Sequence, residues 1–194
     1  MSLTMERCKW CNLKNPLYIK YHDEEWGRPN FEEKYLYEML ILESFQAGLS
    51  WECVLNKRED FRKAYDNFDI DKVCRYDNKK IQELLSNEKL IRNKLKINAS
   101  INNSKIFKEI QNEYGTFHKY LKGFTNDKII YENDKTTSEL SDNISEDLRK
   151  RGMKFVGSTI IYSYLQAIGI IYSHDEECFM NKKASLRSSI KCKF

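Results

Sequence analysis

Only two prolines and seven glycines punctuate 194 residues, and few segments alternate apolar and polar residues strictly enough to be strands. A chain with so few breakers and so little period-two patterning is predicted to be almost entirely α-helical. Phe31 to Gln46 reads as one helix, with Leu36, Leu40, Glu43 and Ala47 on a shared face. Ser50 is placed to cap a second helix reaching about Ala64, and Glu52 falls in its first turn, where negative charge is favourable. Asp69 and Asp77 read as caps of two short helices. Ile81 to Leu85 and Ile91 to Phe107 form a predicted helical pair joined by residues 86–90, and Ser141 to Arg151 and Ser158 to Tyr172 are later helices. The polar stretch Asn126 to Ser141 is the best candidate for a long surface loop.

A hydrophobic content of 41% is enough for one domain or two intimately packed lobes at this length. The formal net charge of +4 permits a basic face without requiring one, so charge alone does not identify a nucleic-acid binder. Residues 1–7 lack the apolar core of a secretory signal, and the apolar stretch Ile160 to Ile171 is too short and too polar to span a bilayer. The expected compartment is the cytosol, with reduced cysteines and no membrane partner. Met5 offers a second possible start.

The run Leu42-Glu43-Ser44-Phe45-Gln46-Ala47-Gly48-Leu49-Ser50-Trp51 places one acid among apolar neighbours, with a Trp eight residues on. An inward carboxylate costs several kcal/mol unless it is paired or hydrogen-bonded. Two readings of Glu43 stay open on the residues alone: an acceptor in a structural network, or the polar group of a pocket for a flat, electron-poor ring.

Cys8 and His22 near one end, and His174-x-x-x-Cys178 near the other, supply four soft ligands for a tetrahedral metal. Their spacing matches no compact finger. Cys8-x-x-Cys11 offers a rival pair, and on spacing alone unrelated buried thiols are the simpler account. Cys53, Cys74 and Cys192 have no matching His, His118 reads as a surface residue, and a disulfide framework is not expected. Around Leu90-Ile91-Arg92 a tight turn before a helix start could hold a phosphate, with Arg92, Lys94 and Lys96 adding positive charge. Lys150, Arg151 and Lys154 form a second basic group. Both groups also fit plain solvated helix faces.

Together these residues resemble the bacterial DNA-3-methyladenine glycosylase I family, a branch of the helix-hairpin-helix glycosylases. The resemblance rests on Met5-Glu6-Arg7-Cys8-x-Trp10, on Pro16-Leu17-Tyr18-Ile19-x-Tyr21-His22-Asp23-x-Glu25-Trp26-Gly27, and on Leu42-Glu43-x-x-Gln46-Ala47-Gly48-Leu49-Ser50-Trp51. It continues through Val54-Leu55-x-Lys57-Arg58, Ile91-Arg92 and Lys150-Arg151-Gly152-x-Lys154-Phe155-Val156-Gly157 to His174. The chain has one more residue between Cys8 and His22 than the family pattern, and Lys89 stands at a hairpin position that the pattern fills with glycine.

The resemblance implies an all-α helix-hairpin-helix glycosylase fold over residues 5–180, as one unit or as two packed lobes with the pocket between, and a tail of unknown role beyond. It implies a structural Zn²⁺ on Cys8, His22, His174 and Cys178, tying the chain's two ends. It places the base pocket at Glu43, Tyr21 and Trp51, with Trp10 and Tyr18 close by, and gives Glu43 the catalytic or recognition role. Leu49 and Gly48 are implied as the wedge into the base stack, and Arg92 and Lys154 as backbone contacts. The expected partner is double-stranded DNA carrying alkylated adenine, the product free 3-methyladenine, and the chain a monomer.

The chemistry implied is hydrolysis of an N-glycosidic bond. Methylation at N3 makes adenine cationic and a good leaving group, so recognition supplies much of the selectivity. Related enzymes carry a catalytic Asp about twenty residues beyond the hairpin, yet no Asp occurs here between Asp77 and Asp127. A monofunctional hydrolase acting through a dissociative route is therefore expected. The alternative is a zinc-stapled helical DNA-binding module without catalysis, which leaves Glu43 and its aromatic neighbours unexplained.

Overall fold

The structure, a computed structural model, describes residues 5–181. In chain order the helices are α1 (Pro16–Glu24), α2 (Glu33–Gln46), α3 (Trp51–Leu55), α4 (Arg58–Ala64), α5 (Ile70–Val73), α6 (Asn78–Ser86), α7 (Lys94–Tyr114), α8 (Phe117–Thr125), α9 (Glu139–Lys150) and α10 (Ser158–Ala167). Two short strands, β1 (Ile130–Tyr131) and β2 (Ile171–Tyr172), pair in parallel. None of these helices is long and apolar enough to cross a membrane.

Helix α2 is the centre of the molecule. Every residue from Leu36 to Phe45 is buried, and the helix packs against α10, α7, α3 and α8. A helix buried around its whole circumference is a core element, so the expected single buried face understates its role. This placement buries Glu43 whichever way its side chain turns.

Capping accounts for most helix starts. Asp69 accepts from the Asp71 and Lys72 amides and Asp77 from the Lys80 amide, as the sequence suggests. Ser50 accepts from the Cys53 amide, but its helix ends at Leu55 and a separate one begins at Arg58. The break lets the Arg58 guanidinium turn inward to Glu25 and Glu38. Helix α7 starts at Lys94, not Ile91, because Asn93 is the cap that accepts from the Lys96 amide. The hairpin between α6 and α7 is therefore longer than expected and is tied down by Lys57, whose Nζ donates to the Lys89 carbonyl at 2.9 Å. Lys89 does not take a positive φ, so a lysine there is unstrained.

The expected helix through Tyr172 stops at Ala167. Gly169 adopts φ +77°, and a Cβ there would collide with the Arg28–Pro29 backbone. The chain then extends into β2, whose partner β1 lies inside the stretch expected to be plain loop. Two-residue strands carry too little alternation to be read from sequence.

Candidate functional site

Five aromatic and acidic residues singled out by sequence come together around one cavity of about 290 Å³: Trp10, Tyr18, Tyr21, Glu43 and Trp51. They arrive on four different supports. Tyr18 and Tyr21 lie one turn apart on α1, Glu43 on α2, Trp51 at the start of α3, and Trp10 on the N-terminal segment. The rings form two contacting groups along the wall: Tyr21 meets Trp51 at 5.3 Å between centroids, and Trp10 meets Tyr18 at 5.3 Å and Trp26 at 4.8 Å. Aromatic pairs at such separations hold one another in fixed orientations.

Three polar atoms at this cavity are unpaired. Glu43 Oε2, Gln46 Oε1 and Trp51 Nε1 are buried without a hydrogen-bond partner. Most buried polar atoms in native proteins are satisfied, so three orphans around one cavity point to a ligand that supplies the missing partners. Burial alone holds the Glu43 carboxyl well above the usual carboxylate range, favouring the neutral acid in the free protein. A carboxyl oxygen, an amide oxygen and an indole N–H facing aromatic surfaces suit a planar heterocycle with polar edges.

Gln46, Trp26, Ser163 and Gln166 also line the cavity; the first two lie in the motifs that carry the resemblance but receive no site role there, and the last two are not singled out by sequence at all. Gln46 was within reach, since it sits three residues after Glu43 on the same helix face. Ser163 and Gln166 have the same spacing on α10, but nothing in their neighbourhood marks them as pocket residues before α10 is docked on α2.

Behind the aromatic wall lies the Cys/His cluster. Ligand atoms of Cys8, His22, His174 and Cys178 all fall within 4.8 Å of one another, and all four residues are buried. Cys8 Sγ is 3.3 Å from His174 Nδ1, and Cys178 Sγ is 3.4 Å from His22 Nε2 and 3.5 Å from His174 Nδ1. Cys11 is not part of it; its sulfur turns to the Tyr18 carbonyl. His22 Nδ1 meets Asp23 Oδ1 at 2.8 Å, and Asp23 is gripped by Arg7 through Nε and Nη2. A carboxylate on the far nitrogen fixes the tautomer that leaves Nε2 free to bind a metal. Within the cluster, the hydrogen bond shared with Cys8 pulls the Cys178 thiol down, and the same bond together with burial pushes Cys8 up. One sulfur is thus favoured as thiolate, the metal-binding form.

The two chain ends are also joined by hydrogen bonds. The Phe179 amide donates to the Glu6 carbonyl at 2.9 Å, and the Lys9 amide to Asp175 Oδ2 at 2.7 Å. Asn181, expected in the tail, is buried and donates to the His174 and Asp175 carbonyls. Residues 182–194, with Cys192, lie outside the described residues.

The residues expected at a DNA surface divide. Gly48 and Leu49 are exposed after α2, Arg92 is exposed in the α6–α7 hairpin, and Lys154 is exposed in the α9–α10 turn. Lys96 does not join them. It is buried, and its Nζ donates to the carbonyls of Phe45 at 2.8 Å and Ala47 at 2.5 Å. Those carbonyls belong to the end of α2, where helical acceptors lack intrahelical partners and a cation is favoured. His118 is half-buried and stacks on Phe31 at 4.2 Å, so it is not a plain surface residue.

Residues 10–181 match the methyladenine glycosylase family. DNA-3-methyladenine glycosylase 1 of Escherichia coli K12 is 40% identical over 180 residues, covering 90% of this chain and 96% of the relative. The DNA-3-methyladenine glycosylase of Haemophilus influenzae is 36% identical, with 89% and 96% covered. Among solved structures, a crystal structure of 3-methyladenine DNA glycosylase I superposes with a TM-score of 0.86 at 36% identity, covering 90% of this chain and 99% of that one. The Staphylococcus aureus enzyme, solved to explain its recognition of 3-methyladenine, gives 0.85 at 31% identity, with 90% and 96% covered. With the aromatic cavity and the Cys/His cluster in place on a matching fold, the chain belongs to the methyladenine glycosylase family.

Proposed function

We propose that this protein is a base-excision glycosylase that hydrolyses the N-glycosidic bond of 3-methyladenine in alkylated duplex DNA and leaves an abasic site. The observation that carries this reading is the buried, unpaired Glu43 carboxyl facing an aromatic cavity. Relatives named for the same activity support it.

The lesion is flipped from the stack at a cost of a few kcal/mol, least for a damaged base. Tyr21 and Trp51 flank the ring, and a cationic alkylated base gains about 0.5–2 kcal/mol over neutral adenine from the aromatic faces. Glu43 accepts a hydrogen bond from the exocyclic amine. A positive ring also favours ionisation of its carboxyl, so the burial that penalises charge in the free protein becomes selectivity for a cation. Bond cleavage is dissociative and water is captured late, with no covalent lysine intermediate.

The DNA backbone runs over the exposed turns. Leu49 and Gly48 enter the opened step, Arg92 contacts phosphate from one hairpin, and Lys154 does so from the α9–α10 turn. Gly157, the N-cap of α10, provides no side-chain cap, and the backbone amides of such a helix start suit an anion. These turns are the helix-hairpin-helix element of the proposal. Residues 5–181 act as one helical unit and as a monomer.

The donor set fits Zn²⁺. Zn–S bonds of about 2.3 Å and Zn–N bonds of about 2.0–2.1 Å set N···S edges of about 3.6 Å in a tetrahedron, close to the 3.3–3.5 Å found between Cys sulfurs and His nitrogens. Cys8, His22, His174 and Cys178 would hold the ion with no open position, so it supplies cross-linking and no activated water.

Incubation with methylated duplex DNA should release free 3-methyladenine, resolved by chromatography, with no adduct trapped by borohydride. Folded protein that binds the duplex and releases nothing would make it a DNA-binding module instead.

A further inference from the structure

We infer that Lys96 is a positioning residue that sets the conformation of the wedge turn Gln46-Ala47-Gly48-Leu49 from inside the protein. This inference rests on the glycosylase reading above.

Helix α2 ends in a tight turn in which the Leu49 amide donates to the Gln46 carbonyl at 2.6 Å. Ala47 has φ −46° and ψ 113°, and Gly48 has φ +76°. Those angles are the type II pattern, which differs from type I by rotation of the central peptide and needs a positive φ at its third residue. Gly48 meets that need, and a Cβ added there would meet nothing within 4 Å. Its glycine is therefore required by conformation alone.

The central peptide of the turn is the one joining Ala47 to Gly48, and its carbonyl is held by Lys96 Nζ at 2.5 Å. In a trans peptide the carbonyl and the following N–H point in opposite directions. With the Ala47 carbonyl drawn inward to a buried ammonium, the Gly48 N–H is aimed outward, on the side where Leu49 is 41% exposed. Rotation of this peptide toward type I would withdraw an acceptor from a buried cation, which is costly. Lys96 also bonds the Phe45 carbonyl, two residues from Glu43, and lies 5.9 Å from the Phe155 ring beside Lys154. One buried ammonium thus joins the pocket helix, the wedge turn and the α9–α10 turn.

The test compares Lys96→Met and Lys96→Arg with wild type in two assays: binding of free 3-methyladenine, read by tryptophan fluorescence, and single-turnover excision from methylated duplex DNA. Lys96→Met should bind the free base within about twofold of wild type while excision falls at least about tenfold, and Lys96→Arg should recover most of the loss. Combined with Leu49→Ala, Lys96→Met should lower excision little beyond Leu49→Ala alone, because the two act through one element. Parallel loss of free-base binding and excision, unchanged excision, or multiplicative losses in the double variant would overturn it. If Lys96→Met does not fold, Gly48→Ala carries the test: it should reproduce the split, and full excision by it overturns the inference. A wild type that releases no base overturns the glycosylase reading as well, whereas release by wild type and an equal rate in Lys96→Met overturns the inference alone.

Discussion

The Trp26 indole stands edge-on to the His174 imidazole at 4.7 Å between ring centroids, so a wall residue of the aromatic cavity rests directly on a member of the Cys/His cluster. Trp10 repeats the relationship, 5.2 Å from His22 and 4.8 Å from Trp26. The cluster is therefore the back support of the pocket as well as a fastening of the chain ends.

Metal removal should loosen both. Protein as purified should carry one zinc per chain by atomic emission, and chelation should lower the melting temperature by several degrees or more while weakening free-base binding, since a structural site contributes directly to folding free energy. A metal-free preparation with the same melting temperature and the same affinity for 3-methyladenine would contradict the proposed ligand set.

The raised Glu43 carboxyl makes a pH-dependent prediction. Below the ordinary carboxylate range both folded and unfolded chains hold the proton, and stability is complete. As pH rises, the unfolded chain ionises first while the folded one retains its proton, so stability falls by up to about 1.4 kcal/mol per pH unit until the folded value is passed. Glu43→Gln removes this linkage. Its advantage in melting temperature over wild type should be larger at pH 8 than at pH 4.5, and a difference that does not change with pH would show that Glu43 is not buried as a neutral acid.

Arg58 illustrates a different buried charge. Its Nη1 bonds both Glu25 oxygens at 2.7 and 2.8 Å, and its Nε bonds Glu38 Oε1 at 2.6 Å. Arg58→Met strands the buried Glu38 carboxylate, even with Arg62 still beside it, and should cost about 3–5 kcal/mol in denaturant unfolding. The double variant Arg58→Met with Glu38→Met should recover part of that loss. Equal destabilisation by the single and double variants would mean that the pair acts through packing alone.

Glu43 was legible because a lone acid between apolar residues at helical spacing has to be paid for, and Asp69 and Asp77 were legible because caps act within a few residues. The Cys/His cluster was not, on residues alone: His22 and His174 meet only after the chain has folded, and Cys8-x-x-Cys11 offered a rival pair. Lys96 was misread for the same reason. Its own helix says nothing of the α2 carbonyls lying over it, so it looked like one more basic residue near Arg92. The end of α10 was misread because a short, mostly apolar segment fits a buried helix and a buried strand alike; contact between Gly169 and the Arg28–Pro29 backbone decides the matter.

The most direct test of the account is the rate of 3-methyladenine release from methylated duplex DNA by wild type and by Glu43→Gln, with melting temperatures measured on the same samples. Wild type should release the base, and the variant should lose at least about tenfold in rate with no loss of melting temperature, as expected when a transition-state contact is removed from a folded enzyme. Equal rates in the two proteins, or a rate loss matched by a lower melting temperature, would contradict a pocket role for Glu43.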